Sequence, residues 1–286
     1  MFEEEEDTGN AITHKILKQS LKKHSGYTTP ELNDVLYLHY LGIGKIQLLE
    51  PYINVKALWL NNNAINRIEN ISALKNLTCL YLQNNIIEKI EGLEELTSLK
   101  TLVLSSNYIL KIENLSGCKE LNTLEIDHNR LSSYDDLKGL VELQSLSILN
   151  LSHNKIENED VCVLFSALPQ LRVLRLEGNQ LPRKMENYRR KMIIQNNDLR
   201  YLDDAPIEEN DRRLANAWAQ GGKQGEKIER ENIKREADEK HMRNMEEFKR
   251  IQREALLKSG GSIDEHPELI PDDEVFITSQ EIEQLD

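Results

Sequence analysis

The stretch LYLQNNIIEKIEGLEELTSLKTLVLSSN, residues 80–107, states one phrase twice, 22 residues apart. LYLQNNII (80–87) and LVLSSNYI (102–109) share the template LxLxxNxI/L. LWLNNNAI (58–65), LEIDHNRL (124–131), LNLSHNKI (149–156) and LRLEGNQL (174–181) fit it as well. Their asparagines are Asn63, Asn85, Asn107, Asn129, Asn154 and Asn179, at spacings of 22, 22, 22, 25 and 25. An earlier copy, LYLHYLGI (36–43), has Leu41 in the asparagine's place, as an atypical terminal unit would. Leu58 and Leu60 stand two apart, so a short strand turns both inward and Trp59 outward. The asparagine then turns the chain, its amide meeting backbone groups that a buried bend would leave unpaired. Ile65, Ile68, Ile71 and Leu74 fill the space behind the bend, and Leu77 opens the next strand. One such unit cannot bury its own apolar face, so neighbours must stack.

This is the leucine-rich-repeat pattern. It predicts an α/β solenoid: a leucine-rich-repeat horseshoe of about seven repeats with a parallel sheet on its concave side. A 22-residue unit leaves room only for short helical or 3₁₀ turns on the convex side. The 25-residue units allow more, and NEDVCVLFSALPQL (158–171) reads as a helix ended by Pro169. RIENI (67–71), KIEGL (89–93) and KIENL (111–115) stack three repeats deep, which places Arg67, Lys89 and Lys111 in one ladder beside Glu69, Glu91 and Glu113. Surface ladders of weak ion pairs are the simpler reading of that stripe, and charged docking the alternative.

The repeats occupy 35–186, between an N-terminal helical cap (13–34) and a C-terminal cap (187–222). In the first cap, THKILKQSLKKHSG (13–26) reads as a helix with Thr13 as N-cap, Ile12, Ile16, Leu17 and Leu21 inward, and Gly26 as the stop. Its lysines, Lys15, Lys18, Lys22 and Lys23, form a solvated face. The second cap holds NYRRKMIIQNNDLRYLDD (187–204) and a short helix, DRRLANAWAQ (211–220), stopped by Gly221 and Gly222. Asp204 falls in the slot of the ladder residue Leu176, where a carboxylate cannot join an apolar stack, so the solenoid ends there. Asp203 and Asp204 are expected to accept from amides of their own turn, Pro206 to bar continuation of the strand, and Leu214 and Trp218 to close the open edge. Residues 223–258 form a charged helix with pairs four apart, such as Glu226–Arg230, Glu231–Arg235 and Glu246–Arg250. Ile233, Ala237, Met245 and Phe248 make only a faint stripe, without the sustained heptads of a coiled coil. Residues 1–12 and 259–286 are acidic and read as disordered, with VFI (275–277) as a short docking motif.

The bulk numbers exclude several functions. A net charge of −13 argues against nucleic-acid binding, which lysine and arginine drive. No apolar run approaches the roughly 18 residues of a membrane span. MFEEEED lacks the basic and apolar regions of a signal peptide, and three widely spaced cysteines (Cys79, Cys118, Cys162) read as reduced thiols in a cytoplasmic protein. There is no phosphate-cradling glycine loop, no GxSxG, no HExxH and no cysteine–histidine set, so no catalytic residue, metal ligand or cofactor is expected. The one alternative is a weak metal site at Asp127, His128 and His153, because the histidines hold equivalent positions in adjacent repeats; loop histidines are otherwise solvated, and the set lacks further ligands.

The concave face is more telling. Between the strand leucines the outward residues run Tyr37, Trp59, Tyr81, Val103, Glu125, Asn150, Arg175, flanked by His39, Asn61, Gln83, Ser105, Asp127, Ser152 and Glu177. Aromatics line the first half and polar or charged groups the second. Stacking across strands is one use of such a row. No fold requirement demands it, however, and aromatics are favoured anchors at interfaces, so Tyr37, His39, Trp59, Asn61, Tyr81, Gln83, Glu125, Asp127, Asn150 and Arg175 are read as a partner surface.

The 22-residue units with [RK]IEN resemble the class shared by the regulatory leucine-rich-repeat subunit of protein phosphatase-1 and an axonemal dynein light chain. YTTPELNDVLYLHYLG (27–42), NYRR (187–190) and YLDDAPI…DRRLANAWAQGG (201–222) narrow the likeness to the leucine-rich-repeat dynein axonemal assembly factors. That resemblance implies a non-enzymatic cytoplasmic factor that helps chaperones preassemble dynein arms before transport into cilia or flagella. Its partners would be axonemal dynein chains with chaperones or other assembly factors. The class-level likeness keeps the phosphatase-1 catalytic subunit as an alternative partner, or a dynein light-chain-like role. The concave residues carry over at Tyr37, His39, Trp59 and Tyr81, and the cap motif at Tyr188, Arg189, Leu202, Asp203, Asp204 and Trp218.

Overall fold

Each LxL triplet becomes a three-residue strand. In the computed structural model, which describes residues 10–260 together with His266 and Leu269, the strands are β1 Val35–Tyr37, β2 Ala57–Trp59, β3 Cys79–Tyr81, β4 Thr101–Val103, β5 Thr123–Glu125, β6 Ile148–Asn150 and β7 Val173–Arg175. They pair in parallel in strict sequence order, Leu36 to Leu58 to Leu80 to Leu102 to Leu124 to Leu149 to Leu174. Those leucines are buried, while the residues beside them lie on the other face. The 22-residue spacing therefore fixes register: a slip of one residue would turn the whole leucine column to solvent. Behind the sheet, Ile65, Ile87, Ile109, Leu131, Ile156 and Leu181 form a second fully buried column.

The asparagines close the bends. Asn107 accepts at Oδ1 from the Ile87 amide (3.0 Å) and donates from Nδ2 to the carbonyls of Leu82 and Leu104 (3.0 Å each). Asn85, Asn129, Asn154 and Asn179 repeat this pattern, and Asn63 accepts from both Leu41 and Ile43 in the atypical first unit. Each amide thus ties three backbone groups across two repeats, where an unpaired group would cost about 1–3 kcal/mol.

The residue before each asparagine is left-handed: Asn62, Asn84, Ser106, His128 and His153 have φ between 52° and 57°, and Gly178 has 74°. Only residues that tolerate this region fit cheaply. At Gly178 a Cβ would also lie 2.3 Å from Nδ1 of His153, so glycine there answers two demands.

The connections follow repeat length. No helix stands between β2 and β5, across the 22-residue units. The 25-residue units hold α2 (Tyr134–Leu137), a 3₁₀ turn at Lys138–Glu142, another at Glu159–Val161, and α3 (Cys162–Ser166). α2 starts on a reciprocal cap between Ser133 and Asp136. The helix expected to run to Pro169 is the five residues of α3; it stops at Ser166, with Ala167 capping and Leu168 turning in.

At the first edge, α1 (His14–Lys23) packs Leu17 and Leu21 onto the core, with the Thr13 hydroxyl accepting from the Ile16 amide. Ser25 carries the left-handed φ at its end, not Gly26. A Cβ at Gly26 would lie 2.7 Å from Leu21 Cδ2 and 2.9 Å from Asn33 Oδ1, so a side chain there would make both shift.

At the other edge, α4 (Leu181–Lys184) and α5 (Tyr188–Gln195) lead to an eighth rung, β8 (Tyr201–Leu202), where Leu202 pairs with Leu174. The chain then reverses into β9 (Ala205–Pro206), antiparallel to β8. Pro206 does not follow the strands; it lies in this last one, on the sheet's edge, where a missing N–H costs no ladder bond. Nor does Asp203 serve its own turn: its Oδ1 accepts from the Leu176 amide of the preceding rung, 2.8 Å away.

α6 (Glu209–Lys258) follows. The chain divides into two compact units after Ala215. In the first, Leu214 is half-buried and the buried residue of the opening turns of α6 is Ala215, because the helix packs its small side chain inward. Trp218 belongs to the second unit. There α6 is broken at Gly222 alone (φ 58°, ψ −148°), where only glycine is at ease, while Gly221 stays helical. Beyond the break Glu226 pairs with Arg230 at 2.9 Å, and Arg235 lies 3.9 Å from Glu239, not on Glu231. The expected disordered start is ordered at its end, where Ala11 bridges to Lys45 and Ile12 is buried in the core beside the first repeat; residues 1–9 and the VFI motif lie outside the described residues.

Candidate interaction face

Three ladders run across the outward side of the sheet, and the middle one begins with an aromatic stack. The Tyr37 and Trp59 rings stack at 6.2 Å between centroids, and those of Trp59 and Tyr81 at 3.8 Å and 15°. The His24 ring at the end of α1 extends the row, 4.5 Å from Tyr37. All three large rings are half-buried, and Trp59, stacked between the other two, turns its edge outward. Burial, and next the Cys79 thiol, hold the Tyr81 hydroxyl above its usual pKa.

Beside the stack lies the column His39, Asn61, Gln83. Burial, and next the neighbouring His24 and Lys23, lower the His39 pKa from its ordinary value. His39 Nδ1, Asn61 Oδ1 and Gln83 Oε1 are buried without a hydrogen-bond partner among the described residues. Such orphaned atoms are uncommon in a native core and call for a reason.

Past Val103 the face changes character. Asn150 donates to Glu125 (2.7 Å) and to Asp127 (3.2 Å), and Asp127 also accepts from the Ser105 hydroxyl. Arg175 is exposed on the next rung. Asp204 shares a hydrogen bond with Glu177 and repels its charge, which holds the Glu177 carboxyl above the usual range.

His128 and His153 do lie together, with centroids 4.3 Å apart and planes 23° from parallel. Parallel stacking turns ring faces, not nitrogen lone pairs, toward each other, and Nδ1 of His128 is taken by Asp127 at 2.8 Å. Among the described residues no cluster of three or more histidine, cysteine, aspartate or glutamate side chains is placed to hold a metal ion. Their shared trait is the left-handed φ, a structural demand that the motif reading missed. The column Asn62, Asn84, Ser106, His128, His153, Gly178 could have revealed it, being rich in residues that accept such a backbone.

In the C-terminal cap, Arg189 donates to the Pro206 carbonyl (2.6 Å) and pairs with Asp211 (3.1 Å), linking α5, β9 and the start of α6. The Tyr188 hydroxyl is buried near the Asp203 carboxylate, and both burial and that charge push its pKa well above the usual phenol value. Tyr188, Arg189, Leu202 and Asp203 thus meet at the last rung, with Asp204 exposed on the turn beside them.

Fold and ladders together define a leucine-rich-repeat protein. The family description "Leucine Rich repeats (2 copies)" matches residues 53–95 and "Leucine rich repeat" matches 119–181. A solved internalin from Listeria monocytogenes shares the fold at a TM-score of 0.52 and 24% identity, over 66% of this chain and 53% of that one. Within that class the sequence is similar to dynein axonemal assembly factor 1 of Mus musculus, 52% identical over 284 residues, which is 99% of this chain and 44% of the relative. The Homo sapiens protein of that name is 60% identical over 220 residues, 77% of this chain and 30% of its own length. The leucine-rich repeat-containing protein ODA7 of Chlamydomonas reinhardtii is 48% identical over 235 residues, 82% of this chain and 54% of that protein. The chain therefore spans about half or less of the length of these relatives; it is a leucine-rich-repeat protein, similar along most of its own length to dynein axonemal assembly factors. No helix among the described residues is long and apolar enough to cross a membrane.

Proposed function

We propose that this protein is a non-enzymatic scaffold that acts in the cytoplasm during preassembly of axonemal dynein arms, holding a dynein chain or a chaperone on the outward face of its sheet. The likeness to dynein axonemal assembly factor 1 over nearly the whole chain supports the process. The observation that supports the place is the half-buried stack Tyr37–Trp59–Tyr81, an interface-type anchor on a face the repeat does not use for packing. Cilium or flagellum motility would then depend on it through arm assembly. Deleting the gene in a flagellated host should remove dynein arms and motility, and normal arms would refute the reading. Affinity capture should recover dynein chains or chaperones; recovery of phosphatase-1 catalytic subunit without them would favour the phosphatase alternative.

A further inference from the structure

α1 carries a charge pattern that the helix itself does not explain. Lys15, Lys18 and Lys22 stand three and four positions apart, so at about 100° per residue they fall within about 60° of one another around the helix. Like charges at that spacing repel. Lys22, in the last turn, suits the negative end of the helix dipole. Lys15 stands in the first turn, at the positive end, and no acid accompanies it there. All three lysines are exposed, and none forms an ion pair among the described residues, in a chain whose net charge is −13.

The stripe borders a groove of about 650 Å³. Lys18 and Lys22 form one wall, Thr28 and Pro30 the other, over a floor that includes Leu21 and Tyr52. Those floor side chains are nearly buried, so the groove is shallow and takes a segment lying along α1 instead of a deep anchor. Lys23 lies on the other flank of α1, beside His39 and the outward face of the sheet, which leaves the stripe as a separate surface.

We propose that Lys15, Lys18 and Lys22 dock an acidic helical segment of a partner protein, with its carboxylates on the three ammonium groups and its body along the groove. Glutamates three and four apart on a helix repeat the lysine spacing, and the lysine stems give apolar contact while their heads stay in water. Nucleic acid and anionic lipid fit less well, because both call for a broad basic field and the rest of this chain is acidic. The inference does not rest on the outward face of the sheet; it adds a second surface.

The test uses the full chain and short labelled alanine-based helical peptides. One carries glutamates three and four apart on one face, one has the same glutamates spread around the helix, and one has glutamines in their place. The one-faced glutamate peptide should bind about tenfold more tightly than the glutamine peptide, and more tightly than the spread one. Lys15→Gln, Lys18→Gln and Lys22→Gln together should weaken it about tenfold. The control Lys56→Gln, Lys119→Gln and Lys155→Gln removes the same charge from exposed positions elsewhere and should change affinity less than about twofold. Trp59→Ala should leave this binding unchanged; a loss would place the peptide on the sheet instead. Circular dichroism confirms that each variant is folded. Equal binding of the one-faced and spread peptides, or an equal loss in the control, would mean diffuse attraction and would overturn the proposal. A single-stranded oligonucleotide or phosphatidylserine vesicles bound more tightly than the peptide, and lost in the stripe variant, would mean a phosphate ligand and overturn it as well.

Discussion

The inward and outward columns of the sheet belong to the same strands, yet they obey different rules. Inward, Leu58, Leu80, Leu102, Leu124, Leu149 and Leu174 are one residue type, fully buried, at one register. Outward, Trp59, Tyr81, Val103, Glu125, Asn150 and Arg175 share nothing but their place. A solenoid rung needs its neighbours only on the inward side, so repetition there serves stability. The variety outward is free of that demand and is where specificity can reside.

Truncation on the two sides should therefore give opposite outcomes. Leu102→Ala removes a fully buried side chain from the middle of the stack and should cost about 3–4 kcal/mol, read as a lower denaturant midpoint. A loss under about 1 kcal/mol would show that the rungs collapse to fill the gap, and would weaken the contrast. Asn107→Ala orphans the Ile87 amide and removes one of the two amide donors on each of the Leu82 and Leu104 carbonyls, which keep Asn85 and Asn129, and should cost about 1–3 kcal/mol in the same assay.

Asp203→Ala probes where the inward rule ends. At every earlier rung the amide of the second ladder residue bonds to a carbonyl of the next strand, as Leu60 does with Tyr81 and Leu151 with Arg175. At Leu176 the Asp203 carboxylate takes over that role. Its loss should cost about 1–2 kcal/mol and raise hydrogen exchange at Leu176 first. Asp203→Asn, which keeps an acceptor oxygen, should recover much of it. At the small end, Arg67→Ala breaks a 2.7 Å pair with Glu91 on an exposed edge and should change stability by less than about 0.5 kcal/mol.

The leucine and asparagine ladders were legible because a repeat displays its own register: six asparagines at spacings of 22 and 25 leave few ways to thread the chain. What stayed hidden depends on neighbours in space. Asp203 reads as a turn residue until the bare amide of Leu176, 27 positions earlier, is seen beside it. His128 and His153 suggest metal ligands until their backbone φ values and ring stack give them a simpler use. Gly26 does close the helix, its amide bonding back to the Leu21 carbonyl, but the left-handed residue of that turn is Ser25; Pro206 looked like a break, yet it sits in the hairpin that ends the sheet. The aromatic row was visible as a pattern, but the orphaned oxygens of Asn61 and Gln83 beside it were not, since satisfaction is a property of the packed face.

The most direct test of the account is Trp59→Ala in the full chain, comparing thermal melting with capture of dynein chains from a ciliated-cell extract. The account predicts melting within a few degrees of the parent, on the order of 1 kcal/mol or less, with capture lost. Unchanged capture, or a collapse of the fold like that expected for Leu102→Ala, would contradict the assignment of stability to one face and recognition to the other.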